Sequence, residues 1–337
     1  MAHTVVLHVG AMKSGTSYIQ RNLGSNRDVL ADQGFLFPGK SWRQQVLGVL
    51  DVLGQTRDGE VVPGSPGAWQ RLLDEIVQFP GTAVISMEFL GPTPVPDIER
   101  VVASLAPAEV KVVMTVRDLG RNIPAMWQEG LKNGTSWGWT EYLRDIEDPN
   151  ASEPSYAKKF WRHMNFPFIA RKWVRIVGQD NFTLITVPHP GADPRLLWER
   201  FCSVVGLAPE PFDTSGKSNA SLGAPSALVL RDLNESLPQK FPLAKYQKVV
   251  KHSLAKKGMT DRAEVEQPIG FEDDWVTKRS AKHIDKLSKL GIRVVGDLEE
   301  LRPVPQKGVD PAQVPVEDQL EAAIAALRYL VRMWPSP

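Results

Sequence analysis

An α/β fold built on a parallel sheet is what this sequence predicts, and three observations carry the prediction. Short β-branched runs alternate with segments of helical periodicity through the first half of the chain. The best strand candidate, residues 110–116 (VKVVMTV), is a nearly continuous apolar run, as expected of a strand covered on both faces. Polar and charged motifs fall just after the strand candidates, which is where ligands bind in such sheets.

The elements follow in order. Residues 4–9 (TVVLHV) read as the first strand and end at Gly10, and a helix runs from Ser17 towards Leu23. Trp69, Leu72, Leu73, Ile76 and Val77 mark one face of a second helix, closed by Pro80-Gly81. Residues 82–87 (TAVISM) form the next strand, and Ile98, Val101, Val102 and Leu105 a further helix face. The 110–116 strand leads to a helix over 123–131, with Pro124 tolerable in its first turn. Residues 137–173 are aromatic-rich and expected to be helical, a cover for the sheet or a wall for an acceptor pocket. A strand over 182–187 and a helix over 194–205 precede a polar loop, 214–223, and a helix over 224–237. The polar, basic stretch 245–268 is expected to be a mobile flap, and 290–301 holds one short late strand. A proline-containing linker then enters a final helix with Leu320, Ile324, Leu327 and Val331 on one side, free to pack on the core or on a partner. One domain over 1–337 is expected, with a helical cover region at 137–175 and the C-terminal linker and helix at 303–337.

Composition narrows the function classes. With 40 Lys and Arg against 39 Asp and Glu, no global charge draws the chain to nucleic acid or an anionic membrane, so any anion site must be local. No apolar run approaches the roughly 20 residues of a membrane span. Cys202 is the single cysteine, which forbids an internal disulfide and suits a cytoplasmic protein. None of the six histidines has metal-ligand spacing with other ligands, and no metal is assigned.

The loop Gly10-Ala11-Met12-Lys13-Ser14-Gly15-Thr16-Ser17 lies between the first strand and the first helix. That geometry presents backbone N–H groups to an anion. Gly10 and Gly15 have the spacing of the nucleotide-triphosphatase loop, but Thr16 and Ser17 stand where that motif requires Lys and then Ser or Thr. The lysine is Lys13, inside the loop. There its ammonium would sit near the bond between a terminal group and a single phosphate, with the Ser14, Thr16 and Ser17 hydroxyls as further donors. Such a site suits a 5′-phosphosulfate and asks for no metal. Glu88, just past the 82–87 strand, is a candidate base for a hydroxyl proton, against the plainer role of ordering the loop. His163, beside Phe160 and Trp161, is the substitute base, and His8 reads as a core or supporting residue.

Residues 10–23 (GAMKSGTSYIQRNL) resemble the 5′-phosphosulfate loop and first helix of the sulfotransferases that use 3′-phosphoadenosine 5′-phosphosulfate (PAPS), close to a bacterial K-[ST]-G-T-[ST] branch. The resemblance implies a P-loop-like three-layer fold with a central parallel sheet flanked by helices. It implies PAPS as co-substrate, PAP as product, no metal, and in-line transfer of a sulfuryl group to a hydroxyl or amine of a small-molecule, lipid or carbohydrate acceptor. It also places Arg117 on the nucleotide's 3′-phosphate, with Lys217 and Ser218 from a later loop. The serine that relatives carry eight residues after the arginine is Ala125 here. Two rivals stand beside this reading: a nucleotide-dependent kinase, and a non-catalytic nucleotide-binding protein with a degenerate fold.

Overall fold

A computed structural model describes residues 2–57, 59–148, 156–216, 221–238, 240–262 and 264–333. The chain divides into two compact units, each assembled from three separate stretches. The first comprises Met1–Asp118, Arg162–Lys217 and Lys278–Arg302. The second comprises Leu119–Trp161, Ser218–Thr277 and Pro303–Pro337.

The first unit holds a six-stranded sheet of β1 (Thr4–His8), β2 (Phe35–Leu36), β3 (Thr82–Ser86), β4 (Glu109–Val116), β5 (Phe182–Thr186) and β6 (Arg293–Val295). Their order is β2-β3-β1-β4-β5-β6 and every neighbouring pair is parallel. The expected α/β class is therefore the observed one: a central parallel sheet flanked by helices. Val5, Leu7, Val84, Ile85, Val112 and Leu184 are buried, as strands covered on both faces require. The helix α1 (Thr16–Ser25) adds Ile19 and Leu23 to this core, four residues apart on one face. Burying each such side chain contributes about 1.5–3 kcal/mol. In the helix Ala68–Gln78, Trp69, Leu72 and Ile76 are buried as the spacing predicts, whereas Val77 is exposed, one position past the end of that face.

Topology places the site. The chain leaves β1 for β2 and then β3 on one side and crosses to β4 on the other, so its connections diverge at the carboxyl end of β1. Parallel sheets bind ligands in the crevice opened by such a divergence.

The second unit is mainly helical, and its core is aromatic. Trp127, Trp139, Tyr142 and Phe160 are buried, and ring contacts link Trp127 to Trp139 and Tyr142 to both Tyr156 and Phe160. Two expectations are corrected here. The helix predicted over 123–131 runs Leu119–Lys132, so Pro124 lies in its interior and leaves the Gly120 carbonyl without its helical N–H partner. Its first turn, Leu119-Gly120-Arg121-Asn122, carries no readable apolar period. The supposed flap is regular as well: Tyr246–Gly258 is a π-helix that buries Tyr246, Val250 and Leu254, with Tyr246 Oη donating to the Leu131 carbonyl at 3.0 Å. Lys248, Lys251, Lys256 and Lys257 lie among and after these three apolar residues and give the stretch its polar, basic composition.

Candidate functional site

Three adjacent strand ends build the site. Val9 N donates to the Val113 carbonyl at 2.9 Å, Ala11 N to the Thr115 carbonyl at 2.5 Å, and Thr115 N to the Gly10 carbonyl at 2.6 Å. Pairing with β4 thus continues beyond β1 and into the loop, which fixes the loop's first half against the sheet. Lys13 (φ 60°) and Gly15 (φ 78°) are left-handed. A lysine in that region costs roughly 1–2 kcal/mol, so the fold enforces the conformation. A left-handed residue in a turn directs successive amides to one side and makes an anion-binding concavity. At Gly15 a Cβ would stand 2.3 Å from Leu197 Cδ2, so both conformation and crowding call for glycine. Thr16 then opens α1, whose first N–H groups have no carbonyl partner within the helix and carry the positive end of its dipole.

The predicted loop residues differ in how far they face outward. Lys13 and Gly15 are half-buried and Ser17 is exposed. Thr16 is buried, and Ser14 is fully buried with its hydroxyl donating to the Met12 carbonyl at 3.4 Å. Ser17 keeps its hydroxyl at the surface, whereas that of Ser14 is committed to the loop's own backbone.

Beneath the loop a hydrogen-bond chain crosses the three central strands. His8 Nδ1 lies 2.7 Å from Ser86 Oγ, His8 Nε2 lies 3.1 Å from Thr115 Oγ1, and Thr115 Oγ1 donates to the Gly10 carbonyl at 3.1 Å. Because the threonine proton is committed to Gly10, Nε2 must carry the ring proton and Nδ1 must accept from Ser86. Full burial of His8 lowers its pKa to about 3, which agrees with this neutral tautomer. His8 is thus a support for the loop, as its position within β1 suggested.

A pH dependence follows. The folded chain keeps His8 neutral, whereas the unfolded chain protonates it below about pH 6.5. Stability is therefore lost as pH falls from about 6.5 towards 3, by up to about 1.4 kcal/mol per pH unit from this group. His283, lowered to about 3 mainly by burial and then by Arg279 and Lys286, adds a second loss of the same sign. Urea titrations at pH 7 and pH 5 should show the lower midpoint at pH 5, and His8→Gln should reduce the difference.

Glu88 opens a short 3-10 turn, Glu88–Leu90, directly after β3, and is half-buried. The turn lies over the start of the loop: a Cβ on Gly10 would be 3.4 Å from both Cα and Cβ of Glu88. Glu88 Oε2 accepts from Gln20 Nε2 at 2.9 Å, and the same amide group donates to the Ser86 carbonyl at 3.2 Å. Ser86 N in turn donates to Gln45 Oε1 at 2.9 Å, where β3 has run past the end of β2. The segment after Glu88 is anchored too. Trp173 Nε1 donates to the Gly91 carbonyl at 3.3 Å and Lys172 Nζ to the Thr93 carbonyl at 2.6 Å.

Arg117 follows β4, two residues beyond Thr115, and is half-buried, with Asp118 fully buried after it. Lys13, Glu88 and Arg117 therefore rise from the carboxyl ends of β1, β3 and β4, three neighbours in the sheet. Ala125 lies within the Leu119–Lys132 helix and offers no donor. His163 is half-buried near the end of the helix Tyr156–Met164. Lys217 and Ser218 lie outside the described residues.

Gln20, Gln45 and the partners of His8, Ser86 and Thr115, were not singled out by the sequence. Gln20 left one signal: it is a polar residue beside Ile19, one turn after Thr16, on the buried side of α1.

No protein-family model matches the sequence, and no curated protein does. Among solved structures the chain is similar to a sulfotransferase from Alicyclobacillus acidocaldarius, with 17% identity and a TM-score of 0.43 over 65% of this chain and 87% of that one. It is also similar to the sulfotransferase domain from the curacin biosynthetic pathway, with 11% identity and a TM-score of 0.33 over 78% of this chain and 96% of that one.

Proposed function

We propose that the chain is a PAPS-dependent sulfotransferase acting on a hydroxyl or amine acceptor. The observation that carries this reading is the loop after β1. Its lysine is Lys13, within the turn and left-handed, and Glu88 stands over its first glycine on the neighbouring strand end. In the proposed step the acceptor's oxygen or nitrogen attacks sulfur opposite the bridging oxygen. The bond from sulfur to that oxygen breaks, PAP leaves with the electron pair, and Glu88 takes the acceptor's proton. Lys13 and the loop amides stabilise the charge that grows on the bridging oxygen and the 5′-phosphate. Arg117 holds the 3′-phosphate with its two-pronged guanidinium and so fixes the register of the nucleotide.

Transfer of radiolabelled sulfuryl from PAPS to a panel of small-molecule, lipid and carbohydrate acceptors tests the proposal. Transfer to any of them supports it, and hydrolysis or transfer of an ATP γ-phosphate in its place would assign the loop to a kinase. Arg117→Ala should weaken PAP binding by about ten- to a hundredfold, the worth of one charged hydrogen-bonding group, and leave AMP binding unchanged. Equal losses for both nucleotides would remove Arg117 from the 3′-phosphate.

A further inference from the structure

The C-terminal helix Val316–Met333 turns its small residues inward and its large ones outward. Ala322 and Ala326 are buried at 1% and 6% exposure, and the helix packs within the second unit on the helix Ala224–Ser236 and on the π-helix. The approach is close: a Cβ on Gly258 would stand 2.5 Å from the Tyr329 ring. Leu320, Ile324, Leu327 and Val331 are exposed at 60%, 47%, 62% and 74%. Four large apolar side chains in one exposed row mark an interaction surface.

Their spacing of four, three and four residues is the seam of a coiled coil. It is also symmetric about the midpoint between Ala325 and Ala326. When a second copy runs antiparallel, Leu320 meets Val331 of that copy and Ile324 meets Leu327. The flanking charges agree with this orientation. Glu317, Asp318 and Glu321 occupy the first half of the helix, and Arg328 and Arg332 the second. Neither Glu321 nor Arg328 has an opposite charge three or four residues away on its own helix. In the antiparallel pair Glu321 lies beside Arg328 of the second copy, twice by symmetry, whereas a parallel pair sets like charges at the same level. Lipid is the poorer occupant, because surface-bound helices are rich in Lys and Arg and this one carries more acid than base.

We infer that the chain forms an antiparallel two-fold dimer through Leu320, Ile324, Leu327 and Val331 of this helix. Four side chains fall short of the roughly 800 Å² per partner of a standard interface, so the dimer is weak and depends on concentration. Sedimentation equilibrium of the full chain should show monomer passing to dimer over about 1–100 μM. Ile324→Glu should hold the protein monomeric throughout with an unchanged far-ultraviolet circular dichroism spectrum. Glu321→Arg and Arg328→Glu should each raise the dissociation constant about tenfold, and the double variant should return it to within about threefold of the original. A protein monomeric at every concentration, a dimer that survives Ile324→Glu, or a double variant that fails to recover would each overturn the inference. So would binding of the protein to phosphatidylglycerol vesicles that Ile324→Glu abolishes, which would assign the row to lipid.

Discussion

Lys13→Ala is expected to abolish measurable sulfuryl transfer, a loss on the order of a thousandfold or more in kcat. The size of the effect comes from position. Lys13 is the one cation in the loop between β1 and α1, and in the proposed step it offsets the negative charge that accumulates as the leaving phosphate departs. Alanine meets the same left-handed strain as lysine at φ 60°, so the variant should still fold. Turnover with saturating PAPS and a urea unfolding curve together check the claim. Near-wild-type turnover in a folded variant would remove the loop from the chemistry.

Glu88→Gln is expected to lower kcat by about a hundred- to ten-thousandfold while donor binding changes little. Glutamine has the same shape, and its carbonyl oxygen can still accept from Gln20 Nε2, so the turn after β3 should stay where Gln20 and Ser86 hold it. What glutamine lacks is the capacity to take a proton. Single-turnover rates alongside PAP titration separate the two roles. A collapse of binding with a normal residual rate would make Glu88 a residue that orders the loop.

Much of the fold was legible because its signals are local. Strands β1, β3 and β4 are dense in β-branched residues and bounded by Gly10, Pro80-Gly81 and Arg117-Asp118, so their limits fell within a residue or so of prediction. The loop was legible for the same reason, since its glycines, lysine and hydroxyls are consecutive. Illegible features depend on contacts between distant segments. Gln20, Ser86 and Gln45 share one hydrogen-bond network, and only the place of Gln20 on the buried side of α1 hints at it. The π-helix escaped because its buried apolar residues are outnumbered by polar and basic ones. The exposed row on the C-terminal helix was visible as a row, but its outward direction depends on Ala322 and Ala326 fitting closely where leucine would not.

In the proposed complex the nucleotide's two ends are unequally served. The 5′ end would meet a loop, a helix N-terminus and Lys13, whereas the 3′ end would rely on Arg117, with Ala125 in place of the expected serine. Calorimetric titration with adenosine 3′,5′-bisphosphate and with ATP, each with magnesium and with EDTA, addresses both ends at once. The bisphosphate should bind equally well in EDTA, and ATP far more weakly in either buffer. Tight, magnesium-dependent binding of ATP together with no binding of the bisphosphate would contradict the phosphosulfate assignment of the loop.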